Sequence, residues 1–241
     1  MLFLFWHKGV VSLTVGGKND LAVLNLHHPS ITRMRLMDKV LLDHNGHLTA
    51  RPAAMLKRKI DPDDLRAWCH IRGVYGLPTL ELVECLRDLT KGATVVEIGA
   101  GTGSFGRQLG WTMTDNKMQS WPEIQAYYTA LGQPTIQYPA DVLEMDAHKA
   151  VAELKPDIVF GSWITQWIDP EKPPPPGGGN MYGVKEEWLL GHVETYIMYG
   201  NERVHGEKLL LQRPHRIIKA PWMLSRALNP TGNCLYIWSR K

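Results

Sequence analysis

The densest run of residues able to do chemistry is Glu97-Ile98-Gly99-Ala100-Gly101-Thr102-Gly103, directly after the apolar stretch Val95-Val96. Glycines at this spacing permit a tight bend and leave bare backbone for a ligand at the start of a helix. Gly101, Gly103 and Gly106 also spell the GxGxxG pattern of dinucleotide binding. Register argues against that reading. The apolar run ends at Ile98, so the first glycine of the turn is Gly99, and counted from it the pattern is GxGxG. A carboxylate just ahead of the turn, Glu97, repels a pyrophosphate but suits a ligand carrying an ammonium group. Farther along, His205 and His215 fall near expected strand ends, where each is either a general base or a satisfied structural histidine. His27-His28 has no third ligand at metal spacing and no HExxH occurs, so no metal is expected.

The elements that must position these groups follow from pattern. Asp61-Pro62-Asp63-Asp64 is a helix start, and a second helix begins at Pro78-Thr79, with Leu82, Val83, Leu86 and Leu89 on one face and Gly92 at its end. Strands are then predicted over 94–98, 111–114, 135–138, 157–160 and 194–199, and later over 208–212 and 233–238. Helices are predicted over 103–109, 119–131, 143–155 and 184–193. Repeated β-α-β units with short connections mean a Rossmann-like, doubly wound α/β sheet that is mostly parallel. The last two strands lack a full helix between them, so the C-terminal strand is expected to run antiparallel. Residues 10–15 and 21–26 read as a hairpin, residues 1–6 as a buried first strand, and 43–47 as a turn. Residues 1–60 are thus expected to form a small β-containing extension, and 61–241 the main domain.

The glycine turn resembles motif I of class I S-adenosylmethionine (SAM) dependent methyltransferases, and the resemblance covers about 93–165 well and 166–241 more loosely. It implies SAM as cofactor, with Glu97, Gly99, Ala100, Gly101 and Gly103 around it. It places the ribose on Asp115 at the end of strand two, although Asp115 follows Gly103 by only 12 residues, which clips the first helix. It makes Asp141 the acceptor for the adenine amino group, Val142 an adenine wall or backbone donor, and Gly161 part of the cofactor site. The ordinary alternative for Asp115 and Asp141 is that they cap the helices that follow. Catalytic or substrate residues are expected after strand four, in Gly161-Ser162-Trp163-Ile164-Thr165-Gln166-Trp167. Trp163 and Thr165 are the catalytic candidates there, and Trp163 and Trp167 either stack a planar substrate or pack the next loop. Tyr75-Gly76, before the helix preceding strand one, is expected near the methionine end of the cofactor. The resemblance points towards a phage or bacterial branch without identifying a methyl acceptor.

Residues 173–183 join a stiff proline half to a flexible glycine half, which suits either a substrate lid contacting through Asn180 and Tyr182 or a surface linker. The segment after strand four is not the D/N/S-P-P-Y/F/W run of adenine or cytosine amino methylation, and no Pro-Cys dipeptide for cytosine C5 methylation occurs. The acceptor is left open among nucleic acid, protein and small molecule. Two rival readings are an NAD-dependent oxidoreductase, with Asp115 on the NAD ribose, and a non-catalytic binding or scaffold protein of the same fold.

Composition bounds these readings. The 241 residues carry 44% hydrophobic and 21% charged residues, globular values that exclude a disordered chain. Net charge is +3, too mild to declare a nucleic-acid binder, but residues 1–92 hold +4 of it, with a local cluster at Arg51, Lys57, Arg58 and Lys59. That cluster is either a solvated face or a phosphate patch. Three well-separated cysteines, Cys69, Cys85 and Cys234, suit a reducing cytoplasm. The apolar opening, residues 1–6, is too short to span a membrane. Nine tryptophans are a surplus that suggests rings lining a pocket or interface.

Overall fold

A computed structural model describes residues 4–7, 10–13, 29–130 and 132–240. Strands β1 (Leu4–His7) and β2 (Val10–Leu13) pair antiparallel, with Leu4 opposite Leu13. The partner of residues 10–13 is therefore 4–7; the expected partner, 21–26, lies outside the described residues. Helices α1 (Ile31–Leu41) and α2 (Ala53–Lys59) follow, separated by a turn in which Asp43 accepts from the N–H groups of Asn45 and His47. The described part of residues 29–60 is thus mainly helical. Met37, Leu41, Leu48, Leu56 and Ile60 share one apolar cluster with Trp68, Cys69, Val74, Leu77 and Leu224.

The caps legible in the sequence do their work. Asp61 accepts from the N–H groups of Asp63 and Asp64 at the start of α3 (Pro62–Ile71), and Thr79 accepts from Leu82 at the start of α4 (Leu80–Leu89). Between them lies β3 (Gly76–Leu77). The winding units are β4 (Val95–Ile98), α5 (Ser104–Leu109), β5 (Thr112–Asp115), α6 (Pro122–Ala130), β6 (Leu143–Glu144), α7 (Ala147–Leu154), β7 (Ile158–Ser162), α8 (Glu186–Leu190) and β8 (Thr195–Asn201). After α9 (Glu202–His205) come β9 (Arg216–Ile218), β10 (Leu224–Ser225) and β11 (Asn233–Ser239).

Seven strands form one sheet in the order β6-β5-β4-β7-β8-β11-β9. The first five neighbours run parallel; β11 is antiparallel to β8, and β9 to β11. This is the doubly wound α/β fold with an antiparallel end. The short β10 pairs with β3 instead, Leu224 opposite Leu77. Alternation along each strand divides the core. Val96, Ile98, Val159, Tyr196 and Met198 face α7 and α8, while Val95, Ile158, Phe160, Ile197 and Tyr199 face α4 and α5. Strand order reverses at β4, between β5 and β7, so the loops leaving the carboxyl ends of these strands diverge and open a crevice there.

Two predicted strands are not strands. Residues 135–138 are irregular: the backbone N–H of Ile136 is held by the Gln119 side chain at 2.9 Å, and the sheet edge is taken by the two-residue β6. Residues 209–212 form a 3-10 turn, because Lys208 is drawn into the interior by Glu186, and the outer strand is 216–218. The helix predicted over 143–155 starts at Ala147, capped by Asp146.

Candidate functional site

The glycine turn after β4 lies at the reversal point. Gly99 and Gly101 have φ of 54° and 55°, the left-handed region that glycine alone enters freely. Its backbone is pinned to β5: Ala100 donates to Thr114 O at 3.0 Å, and Gly101 donates to Asp115 Oδ2 at 2.9 Å. Asp115 Oδ1 accepts from Lys117 N–H at 2.7 Å. Burial raises the Asp115 carboxyl above the usual carboxylate range, against the lowering effect of these donors. Gly106 is an ordinary helical residue that packs on β5, where a Cβ would sit 2.4 Å from Met113 Cγ. The third glycine of the formal GxGxxG pattern is therefore spent on helix–strand packing.

Around this turn lies a cleft of about 500 Å³. Of the residues predicted for the site, Glu97, Gly99, Ala100, Gly101, Asp115, Trp163, Thr165, Asn180, Tyr182 and His205 line it. Glu97 is fully buried and its Oε2 accepts from Gly106 N–H at 2.7 Å; burial pushes its carboxyl up to about 8. Trp163 follows β7 with φ of 60°, a strained backbone for a non-glycine residue. Its ring packs against Tyr75 (6.0 Å) and edge-on to His205 (5.2 Å).

His205 is buried, and desolvation followed by the Lys208 charge lowers it to about 3. Its Nδ1 lies 3.0 Å from Asn201 N and 3.2 Å from Asn201 O, so this nitrogen is engaged within its own turn in either tautomer. The ring is therefore neutral, and it stands in the lining of the cleft.

The strap 173–183 crosses the cleft. Gln166 Nε2 donates to Pro176 O and Gly178 O, and Asn180 N–H donates to Gln166 O at 3.2 Å. At the far side Tyr182 O accepts from Asn116 Nδ2 at 3.3 Å, and the Tyr182 ring sits edge-on to Trp121 at 5.2 Å. The strap therefore joins the loop after β7 to the loop after β5.

Six expected site residues do not line the cleft. Asp141 is half-exposed and forms a two-pronged ion pair with Arg107, at 2.9 and 2.7 Å, because it precedes β6 instead of following it. The acid that does follow the third parallel strand and lines the cleft is Asp146, which sequence reasoning passed over through the misplaced strand. Val142 is wholly buried behind the turn with Ala100 and Met113. Gly103 faces Met113, Arg107 and Val142, and Gly161 gives room to Ile164, whose Cγ1 would lie 2.4 Å from a Cβ there. Trp167 is on the outside under Lys185, 4.4 Å from its ring. His215 lies against Tyr236 and Trp238 and contacts Arg213 O.

Half of the basic cluster is tied to backbone: Arg51 donates to Val40 O and Lys57 to Pro221 O, and Lys57, Arg58 and Lys59 are all exposed. Cleft residues without a local sequence signal include Arg226, whose guanidinium stands 3.4 Å from the centre of the Tyr75 ring, and Lys208, whose Nζ donates to Ile164 O at 2.7 Å and pairs with Glu186 Oε2 at 2.6 Å. Among the described residues there is no cluster of side chains that would hold a metal, and no helix long and apolar enough to cross a membrane.

No family model and no curated protein matches the chain. Among solved structures it is similar to a protein assigned as a methyltransferase and complexed with SAH (S-adenosylhomocysteine), at 13% identity and TM-score 0.34, over 64% of this chain and 47% of that one. It is also similar to the hMettl16 catalytic domain in complex with a 3′UTR hairpin, at 14% identity and TM-score 0.35, covering 88% and 92% of the two chains. A protein from Pyrococcus horikoshii assigned as an RNA methyltransferase has 14% identity and TM-score 0.34, with 88% and 98% covered. The chain thus spans about half the length of the first of these. With TM-scores below 0.5, the functional reading rests on the cleft's own residues.

Proposed function

We propose that the chain is a SAM-dependent methyltransferase, with the cofactor held in the cleft at the reversal of strand order. The observation that carries this reading is the coupling of the left-handed glycine turn to Asp115 through the 2.9 Å bond from Gly101 N–H. A nucleoside fits against this turn, whose glycines line the cleft with bare backbone. Asp115 keeps free lone pairs for ribose hydroxyls. Ile136, Met118 and Met145 supply an apolar wall, with Asp146 beside it. Glu97 faces the amino-acid end, and a bound ammonium would restore the charge that burial withdraws from it.

When bound, SAM supplies a methyl group on a sulfonium, which is displaced in line by a nucleophile. The chain's own residues orient the partners and exclude water. Trp163 and Thr165 stand at the acceptor side, and the His205 ring packs edge-on to Trp163 there. The strap closes the cleft through Tyr182 and Asn116. On this reading the reacting groups lie within 61–241, and residues 1–60 are an extension whose helices α1 and α2 pack into the same core.

Calorimetric titration with SAM, SAH and NAD tests the cofactor. SAM and SAH are expected to bind and NAD not; binding of NAD alone overturns the reading. Transfer of a labelled methyl group from SAM into fractionated lysate reads turnover, and binding without transfer to any fraction favours a non-catalytic protein of this fold.

A further inference from the structure

The cleft's lining also includes Tyr75, Trp163, His205, Tyr127, Arg203 and Arg226, and the contacts Arg226–Tyr75, Tyr75–Trp163 and Trp163–His205 link four of them into one lobe. Two features there call for a ligand. The first is charge. Arg226 is half-buried, and neither it nor the exposed Arg203 pairs with a carboxylate in any ion pair of the described residues, although such pairs are common elsewhere on this chain. The Tyr75 ring, 3.4 Å from the Arg226 guanidinium, meets part of its charge through one face and leaves the in-plane N–H groups for an anion. The second is unmet hydrogen bonding. His70 Nε2, Tyr127 OH and Trp163 Nε1 are buried without a partner, and all three residues line the cleft. Buried polar atoms are ordinarily satisfied, and three orphans on residues lining one cleft fit a ligand with several heteroatoms. The walls are rings: Tyr75, Trp163 and His205 stand 5.2–6.0 Å apart from neighbour to neighbour.

We infer that this lobe is the acceptor subsite and takes a nucleotide, a planar heteroaromatic base against the rings with its phosphate on Arg226 and Arg203. The inference rests on the methyltransferase reading only for the word acceptor. A flexible aliphatic chain ending in a carboxylate would meet the cation but leave the rings and the three polar atoms unused. The base's ring nitrogens and exocyclic groups match His70, Tyr127 and Trp163, and aromatic stacking is tolerant of which base enters. A free nucleotide and a nucleotide unit of a single strand share this chemistry.

The test titrates the full chain, with and without SAH, with nucleosides, their 5′-monophosphates and a mixed-sequence single-stranded octanucleotide. Monophosphates are expected to bind at least tenfold more tightly than nucleosides. Arg226→Gln should abolish that difference while leaving SAH affinity within threefold; Arg203→Gln, on the surface, should reduce it without touching the fold. An octanucleotide that binds tenfold better than any monophosphate identifies a polymer acceptor, and equal binding identifies a free nucleotide. No preference for the phosphate, or an Arg226→Gln variant that loses SAH affinity as strongly as nucleotide affinity, overturns the inference, the latter by assigning Arg226 to the cofactor's carboxylate. The SAH titration of the unaltered protein reads the cofactor assignment on its own.

Discussion

Asp115 and Asp141 show how far burial and direction separate two residues of one type. Asp115 is buried at the cleft and spans Gly101 and Lys117. Asp141 reaches away to Arg107, which in turn bonds Thr102 O and Gly103 O. Asp115→Ala should therefore weaken SAH binding by about 1–3 kcal/mol, the loss of buried hydrogen bonds. Asp141→Ala should leave SAH affinity within threefold and change stability by about 1 kcal/mol or less, as an exposed pair does. Calorimetry and thermal melts of the two variants check both. Equal losses of SAH affinity would return Asp141 to the site.

Glu97 and His205 also set opposed pH dependences. The Glu97 carboxyl is raised from 4.5 to about 8 in the fold, so its contribution to stability is full below pH 4.5 and is lost as pH rises to 8. The His205 ring is lowered from 6.5 to about 3, so its contribution is full above pH 6.5 and is lost as pH falls to 3. Between 4.5 and 6.5 the two offset; from 6.5 to 8 only the Glu97 loss remains. Melting temperature of the ligand-free protein should accordingly fall from pH 6.5 to 8, and Glu97→Gln should flatten that limb. An unchanged slope in the variant would show that Glu97 is not the group responsible.

Elements were legible where a local signal fixes them and obscure where tertiary packing does. Asp61, Thr79 and the glycine turn announce their caps and bend by residue type alone. Ile136 and Tyr138 alternate like a strand, yet Ile136 is spent as a lid over Gly73 and Gly101, 3.3 and 3.2 Å from where a Cβ on each would lie. The true edge strand, Leu143–Glu144, is exposed on both residues, and Leu143 reads instead as the start of the helix predicted over 143–155. The misplacement passed Asp146 over for Asp141. Lys208-Leu209-Leu210-Leu211 reads as a strand because nothing local reveals that Glu186 and Ile164 O take Lys208 inward. The strap depends on a similar distant contact. Gln166→Ala would strand the carbonyls of Pro176 and Gly178 and loosen the proline half of the strap, while the backbone bonds of Asn180 and Val184 hold its other end to the loop after β7. Limited proteolysis should then cut within 170–182 at least tenfold faster, with SAH protecting the unaltered protein more than the variant; equal cleavage rates would remove Gln166 as the clasp.

At the scale of the whole molecule the question is whether residue 60 divides two units. The sequence pattern placed the change of texture there, and the cap at Asp61 supports a new element. Packing runs across it. Met37, Leu41, Leu48, Leu56 and Ile60 are buried against Leu65, Trp68, Cys69, Val74 and Leu77, and Leu224 of the strand paired with β3 closes the same cluster. Burying a large apolar side chain stabilises by about 1.5–3 kcal/mol. Five of them lost together rival the about 5–15 kcal/mol by which a domain is stable. The loss would fall beside the cleft as well, since Val74, Tyr75 and Gly76 line it. A chain beginning at Asp61 should therefore fail to melt cooperatively and should elute as aggregate, whereas the full chain gives one transition. If the shortened chain instead melts cooperatively and binds SAH with unaltered affinity, residues 1–60 are a separable extension and the cluster beneath α1 and α2 contributes little to holding the site.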